Sequence, residues 1–153
     1  MDKSLEERIK ILEETEEIKQ LKSRYVYCVD ERDWDGVLDY FSEDCIVDFG
    51  QFGKYRGKKA LEKFFKVDYP PVMSFTVHYT QDPIIVINGD QAKRKWYSHA
   101  SATFAETNQA VWTSVKYEDE FVREKGRWKC KSSRIHYFYF TPYEEGWAKK
   151  RMV

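Results

Sequence analysis

The sequence lacks an excess of charge of either sign: 26 Lys and Arg stand against 26 Asp and Glu, although charged residues fill 34% of its 153 positions. Without a large field of one sign, nothing steers the chain toward nucleic acid or an acidic membrane surface. No apolar run approaches the length of a membrane span, and the first residues, MDKSLEERIK, are too charged for the apolar segment of a secretion signal. A soluble, cytoplasmic protein with neither a nucleic-acid nor a membrane partner is the expectation. Cysteine is scarce: Cys28, Cys45 and Cys130 are odd in number and form no CxxC pair, which argues against a disulfide framework and a zinc site and leaves three small buried hydrophobes. His78, His99 and His136 lack the close spacing of metal ligands, so no metal is expected. GxSxG, a Gly-rich phosphate loop and a dinucleotide fingerprint are absent as well, which removes support for esterase, kinase and NAD readings and implies no cofactor.

Aromatic residues, in contrast, are plentiful at 17%, with eleven Tyr, ten Phe and five Trp. That content suits a thick core or an aromatic-lined cavity for a small hydrophobic ligand. The length fits a single domain, residues 1–153, large enough to bury a core with a pocket in it.

Ser4 followed by Glu7 is a capping box and starts a helix through Leu5, Ile9 and Leu12, continuous or broken near Thr15. From Ile18 the positions Leu21, Tyr25, Cys28 and Val29 predict one buried helix face ending near Asp30 to Arg32. Asp33 can cap a second helix with Trp34, Val37, Leu38 and Phe41 inward, followed by a short strand, CIVDF. Gly57 precedes a third helix, from Lys58 to about Lys66. Strands then dominate: FTVHYTQ and PIIVI, a turn at Asn88 to Asp90, and a long strand with Ala92, Trp96, Ser98, Ala100 and Ala102 on one face. Two more strands meet at Lys125-Gly126. Helices first and antiparallel strands after them predict a segregated α+β domain. Three helices packed in a strongly curved, mixed but mainly antiparallel sheet would form a cone-shaped α+β barrel with an internal pocket.

With metal and nucleophile motifs absent, general acid-base chemistry in an apolar cavity remains. His78 alternates with Thr76 and Thr80, opposite in parity to Phe75, Val77 and Tyr79. Asp30 lies at the edge of the apolar stripe of its helix, where periodicity alone leaves open whether it faces solvent or a partner. A carboxylate on one imidazole nitrogen would fix the tautomer, free the other nitrogen as a base and stabilise the imidazolium. In the last strand, parity groups Arg134 and His136 with Trp128, Cys130 and Phe138 as the inward face. Phe49, Tyr55, Trp96 and Trp112 are candidate cavity walls or core residues.

The segment IKQLKSRYVYCVDERDWDGVLDYFSEDCIVDF, the block TVHYTQDPIIVINGDQAKRKWY and a last strand of the form GRWK…RI resemble the SnoaL-like division of the nuclear-transport-factor-like cone fold. The flavour is that of scytalone dehydratase, hexachlorocyclohexane dehydrochlorinase and bile acid 7α-dehydratase, over about residues 14 to 140. The resemblance implies an Asp-His dyad at Asp30 and His78, 48 residues apart. It implies a substrate-facing polar group at Tyr25 and an anion-stabilising Arg134; strand parity adds His136 as a cavity residue, and Phe49, Tyr55, Trp96 and Trp112 stay candidate walls of a substrate pocket or core residues. The implied activity is a cofactor-independent lyase removing water or another small leaving group from a hydrophobic cyclic substrate. An isomerase with the same base, or a non-catalytic ligand-binding or dimerisation module, is the alternative. Homo-oligomers, trimeric or dimeric, are also implied. His99 is discounted because parity groups it with lysines.

Overall fold

A computed structural model describes residues 3–153. Ser4 Oγ accepts from the Glu7 amide and the Glu7 carboxylate accepts from the Ser4 amide, so α1 starts at the capping box and runs unbroken over Leu5–Glu31. Its first turns carry Leu5, Ile9 and Leu12 exposed; the buried stripe begins further along, at Glu14, and continues through Ile18, Lys22, Tyr25 and Val29. Lys22, rather than Leu21, therefore occupies the core-facing position. The helix stops where Arg32 turns left-handed, with φ 62°, and the Arg32 guanidinium donates to the Met73 carbonyl at 2.5 Å. Asp33 then caps α2 (Trp34–Asp39) by accepting from the Gly36 amide. α3 (Lys58–Lys63) follows Gly57 and continues as a single π-helical stretch, Phe64–Asp68.

Six strands make one sheet: β1 (Phe41–Asp48), β2 (Lys54–Arg56), β3 (Met73–Asn88), β4 (Gln91–Phe104), β5 (Ala110–Glu124) and β6 (Arg127–Pro142). Their order is β2-β1-β6-β5-β4-β3, and only the β1–β6 pair is parallel. β1 begins at Phe41, earlier than the expected CIVDF. The two runs expected around Pro83 are one strand, β3, broken in register between Gln81 and Ile84 where Asp82 has φ 55°.

Bulges give the sheet its curvature and change the expected face of β6. Phe121 pairs with Cys130 but Glu120 pairs with Ser132, so Lys131 is an extra residue and alternation reverses after it. Ser133, Ile135 and Tyr137 consequently point inward, while Arg134, His136 and Phe138 point outward. A second slip, between the Ser114–Tyr139 and Val115–Tyr137 pairs, leaves Phe138 unpaired and 48% exposed, and brings Phe140 back inside.

The inward residues of β4, β5 and β6 stack in layers. Ala92, Phe121 and Trp128 fill the closed end. Arg94, Asp119 and Ser133 form a buried polar layer next to Lys22, and Trp96 and Tyr117 lie above it. Ser98, Ala100, Thr113, Val115 and Tyr137 then border open space.

Candidate active site

That open space is a cavity of about 320 Å³ between the helices and the concave face of the sheet. Its walls are rich in aromatic residues: Phe49, Phe52 and Tyr55 from the β1–β2 region, Phe64, Phe65 and Tyr69 from the stretch after α3, and Tyr25 from α1. Gly50 makes the turn between Phe49 and Phe52 possible. Its φ of 59° favours glycine, and a Cβ there would lie 3.0 Å from the Tyr137 ring. Polar groups are few: His78, Thr76, Ser98, Thr113, the tyrosine hydroxyls, and Asp68 at the rim, paired with Lys63 at 2.8 Å. No Lys or Arg is among the lining residues.

His78 lies on β3, an edge strand whose outward parity carries the apolar Phe75 and Tyr79 and whose inward parity carries Thr76 and His78. An edge strand leaves alternate backbone N–H groups unpaired. Asp30, at the end of α1, uses one of them: Oδ2 accepts from the His78 amide at 2.9 Å. Asp30 Oδ1 sits 2.6 Å from His78 Nδ1 and also accepts from the Thr76 hydroxyl at 3.4 Å. With side chains 19% and 22% exposed, Asp30 and His78 form a partly shielded pair. This arrangement puts the proton on Nδ1 and leaves Nε2 available toward the cavity. The Arg32–Met73 contact fixes the separation of α1 and β3 at the same end of the helix.

Tyr25 lies on the buried stripe of α1, more than one turn before Asp30. Burial, aided by neighbouring Tyr117, pushes its phenol well above the usual range, so it is a neutral donor. Burial pushes Tyr117 and Tyr137 up in the same way. The hydroxyls of Tyr55 and Tyr137 donate to the carbonyls of Phe52, at 2.8 Å, and Phe49, at 3.4 Å. Among the described residues Tyr25 and Tyr117 have no such partner.

Of the remaining expected site residues, Phe49 and Tyr55 line the cavity, and Arg134, His136, Trp96 and Trp112 do not. Arg134 is 59% exposed at the side chain, near Asp48 on the outer face, and His136 bonds Glu118 at 2.8 Å there; the bulge at Lys131 accounts for both. Trp96 is buried one layer deeper, under the guanidinium of Arg94. Trp112 packs on Tyr143 and Trp147 outside the sheet. His99, also outside, bonds the Tyr139 hydroxyl at 3.0 Å. The sequence reading missed Tyr69, Tyr117 and Tyr137 as lining residues and Lys22 and Arg94 as buried cations. Alternation of Val115, Tyr117, Asp119 and Phe121 was a signal for Tyr117, and the spacing of Ile18, Lys22, Tyr25 and Val29 was one for Lys22. Among the described residues, no group of three His, Cys, Asp or Glu is placed to hold a metal ion, and no helix is long and apolar enough to cross a membrane.

Solved structures share this architecture. A type 2 hexachlorocyclohexane dehydrochlorinase superposes with a TM-score of 0.83 at 21% identity, over 88% of this chain and 92% of that one. A candidate scytalone dehydratase of Novosphingobium aromaticivorans gives 0.79 at 21% identity, over 86% and 89%. A nuclear transport factor 2 superfamily protein of Salmonella enterica gives 0.74 at 19% identity, over 86% and 95%. At such identities the likeness is one of fold, the nuclear-transport-factor-like cone. A family model for the SnoaL-like domain matches residues 10–134, from the second turn of α1 into β6, and the chain therefore belongs to the SnoaL-like family.

Proposed function

We propose that the chain is a cofactor-independent lyase that eliminates water, or another small leaving group, from a hydrophobic cyclic substrate bound in the aromatic cavity. The observation that carries this reading is the 2.6 Å contact between Asp30 and His78 beside the cavity. A pocket that only binds ligand has no need of a carboxylate-oriented imidazole. His78 Nε2 takes a proton from a carbon next to a carbonyl or unsaturated system, while Asp30 holds the ring and offsets the charge of the imidazolium. Tyr25 donates to the carbonyl or departing oxygen. Arg134 has no part in this reading, because its side chain is on the other side of the sheet.

The neighbours lend support through what their names say: a dehydrochlorinase and a candidate dehydratase both eliminate a small group. The lining favours an uncharged ring with one or two oxygens, and the walls exclude water from the reacting centre. Self-association through the outer face of the sheet, where Tyr97, Phe138, Ile84 and Val86 are exposed, completes the proposal.

The test is incubation of hydroxylated steroid, polyketide and aromatic-precursor ketones with the protein in deuterated water, read by mass spectrometry. Loss of one water with the wild type and none with His78→Ala is the expected result. Deuterium uptake without loss of water identifies an isomerase. Equal conversion by both proteins removes His78 as the base.

A further inference from the structure

The reaction drawn above makes no use of Lys22, whose side chain is buried on the same helix face as Tyr25. Its ammonium stands 4.0 Å from the ring centroids of Trp96 and Tyr117, 4.8 Å from that of Tyr25 and 5.4 Å from that of Tyr40. Asp119, at 3.6 Å, is its carboxylate neighbour and takes the Ser133 hydroxyl at 2.6 Å. The guanidinium of Arg94 lies over Trp96 at 3.5 Å and donates to the Ile18 carbonyl. This layer thus holds two cations and one carboxylate, and Tyr25 and Tyr117 separate it from the cavity.

A hydrophobic layer would fill the same volume at lower desolvation cost. What the charge changes is the field at the cavity floor. A cation on the face of a phenol ring withdraws electron density and favours negative charge at, or hydrogen-bonded to, the phenolic oxygen. Both floor tyrosines border the cavity, and among the described residues their hydroxyls have no hydrogen-bond partner. Beyond burial, Asp119 also raises both phenols and so opposes this field, but the layer holds two cations to its one carboxylate, and the other nearby carboxylates are paired, Asp30 with His78 and Asp68 with Lys63.

We infer that the cavity floor is a subsite for an oxyanion of phenolate or enolate type, with Tyr25 and Tyr117 as its hydrogen-bond donors and Lys22 as the positioning residue whose charge strengthens them. The inference rests on the cavity being a ligand site, as proposed above, and not on His78 chemistry. Lys22 titrates near 8, so the charge is largely present at neutral pH.

The test uses 4-nitrophenol, whose ionised form is visible by absorbance, and 4-nitroanisole as its uncharged counterpart. Wild-type protein is expected to bind both and to lower the apparent pKa of bound 4-nitrophenol. Lys22→Met should leave 4-nitroanisole affinity unchanged and reduce the preference for phenolate over phenol roughly tenfold. Should that variant fold poorly, Lys22→Met/Asp119→Asn removes both charges of the pair and is expected to give a smaller loss of the same sign, because Asp119 opposes Lys22 at the phenols. An unchanged phenolate preference in a folded Lys22 variant overturns the inference, as does a preference lost in His78→Ala but kept without Lys22. A purely structural Lys22 would alter the melting temperature and leave the ionisation of the probe alone. Wild type that binds 4-nitroanisole and only neutral 4-nitrophenol overturns the oxyanion subsite and spares the cavity reading; binding of neither probe overturns both.

Discussion

Asp30 takes three hydrogen bonds from two residues of one strand, and the three do different things. The His78 amide and the Thr76 hydroxyl fix the carboxylate in place, and the Nδ1 contact then fixes the imidazole. Asp30→Asn keeps the size of the side chain but can present its NH2 group to Nδ1, which favours the wrong tautomer. Turnover should fall by about 10²- to 10⁴-fold with the circular dichroism spectrum unchanged, measured once a substrate is found. Tyr25→Phe should lower kcat more than it raises KM, because a donor to a developing charge acts mainly in the transition state. Lys22 makes a prediction about stability. Burial holds its amine near 8, below the ordinary 10.5, with Asp119 and Cys130 pulling it up and Arg94 pushing it down. Between those two values the unfolded chain binds more protons than the folded one, so this residue's contribution to stability rises with pH across that window. Denaturant midpoints recorded between about pH 7 and pH 10 should show the rise in wild type and a smaller one in Lys22→Met.

Among the elements, helices were legible and strand faces were less so. Capping residues and apolar spacing are local, and they gave the start of α1, the Asp33 cap of α2 and the Gly57 start of α3. The strand alternation of β4 carries through its whole length because its pairing with β5 is regular. β6 is different. One extra residue at Lys131 reverses the side chains beyond it as far as the second slip at Phe138, and nothing in the run WKCKSSRIHYF marks which residue is extra. The pairing partner decides that, which is why Arg134 and His136 were assigned to the wrong face. The Asp30–His78 contact depends on α1 meeting an edge strand, also a long-range property; parity alone left the direction of His78 open, and family resemblance supplied its partner. Local conformation has its own test. Gly50→Ala should destabilise by about 1–2 kcal/mol, from the left-handed backbone and the crowding of Tyr137, measured by thermal unfolding.

At the scale of the whole molecule, a cavity of about 320 Å³ in a 153-residue chain leaves aromatic surface without packing partners. A ligand that fills it should raise the melting temperature in a concentration-dependent way, with about 2.7 kcal/mol of stabilisation at a hundredfold excess over Kd. Differential scanning of a panel of cyclic ketones and phenols would reveal this even if none of them reacts. Light scattering during size exclusion should give a mass above that of a monomer, and charges placed at Tyr97 and Phe138 should lower it. The aromatic content was visible from composition, but its division between core, cavity and outer face required the bulges and the curvature of the sheet.

The cavity wall also has two parts with different tolerance for change. Tyr25, Val29, Phe49 and Phe65 belong to the main hydrophobic cluster that runs to the closed end, whereas Met73, Ala102, Val111 and Phe140 form a small cluster of their own. Substitutions at Met73 or Ala102, which line the chamber, would therefore reshape it without loosening the packing around Ile18 and Phe121. A lineage could explore new substrates by exchanging residues in this patch while the dyad, the buried charges and the apex stay as they are, and a library confined to it would be the economical way to redirect the site.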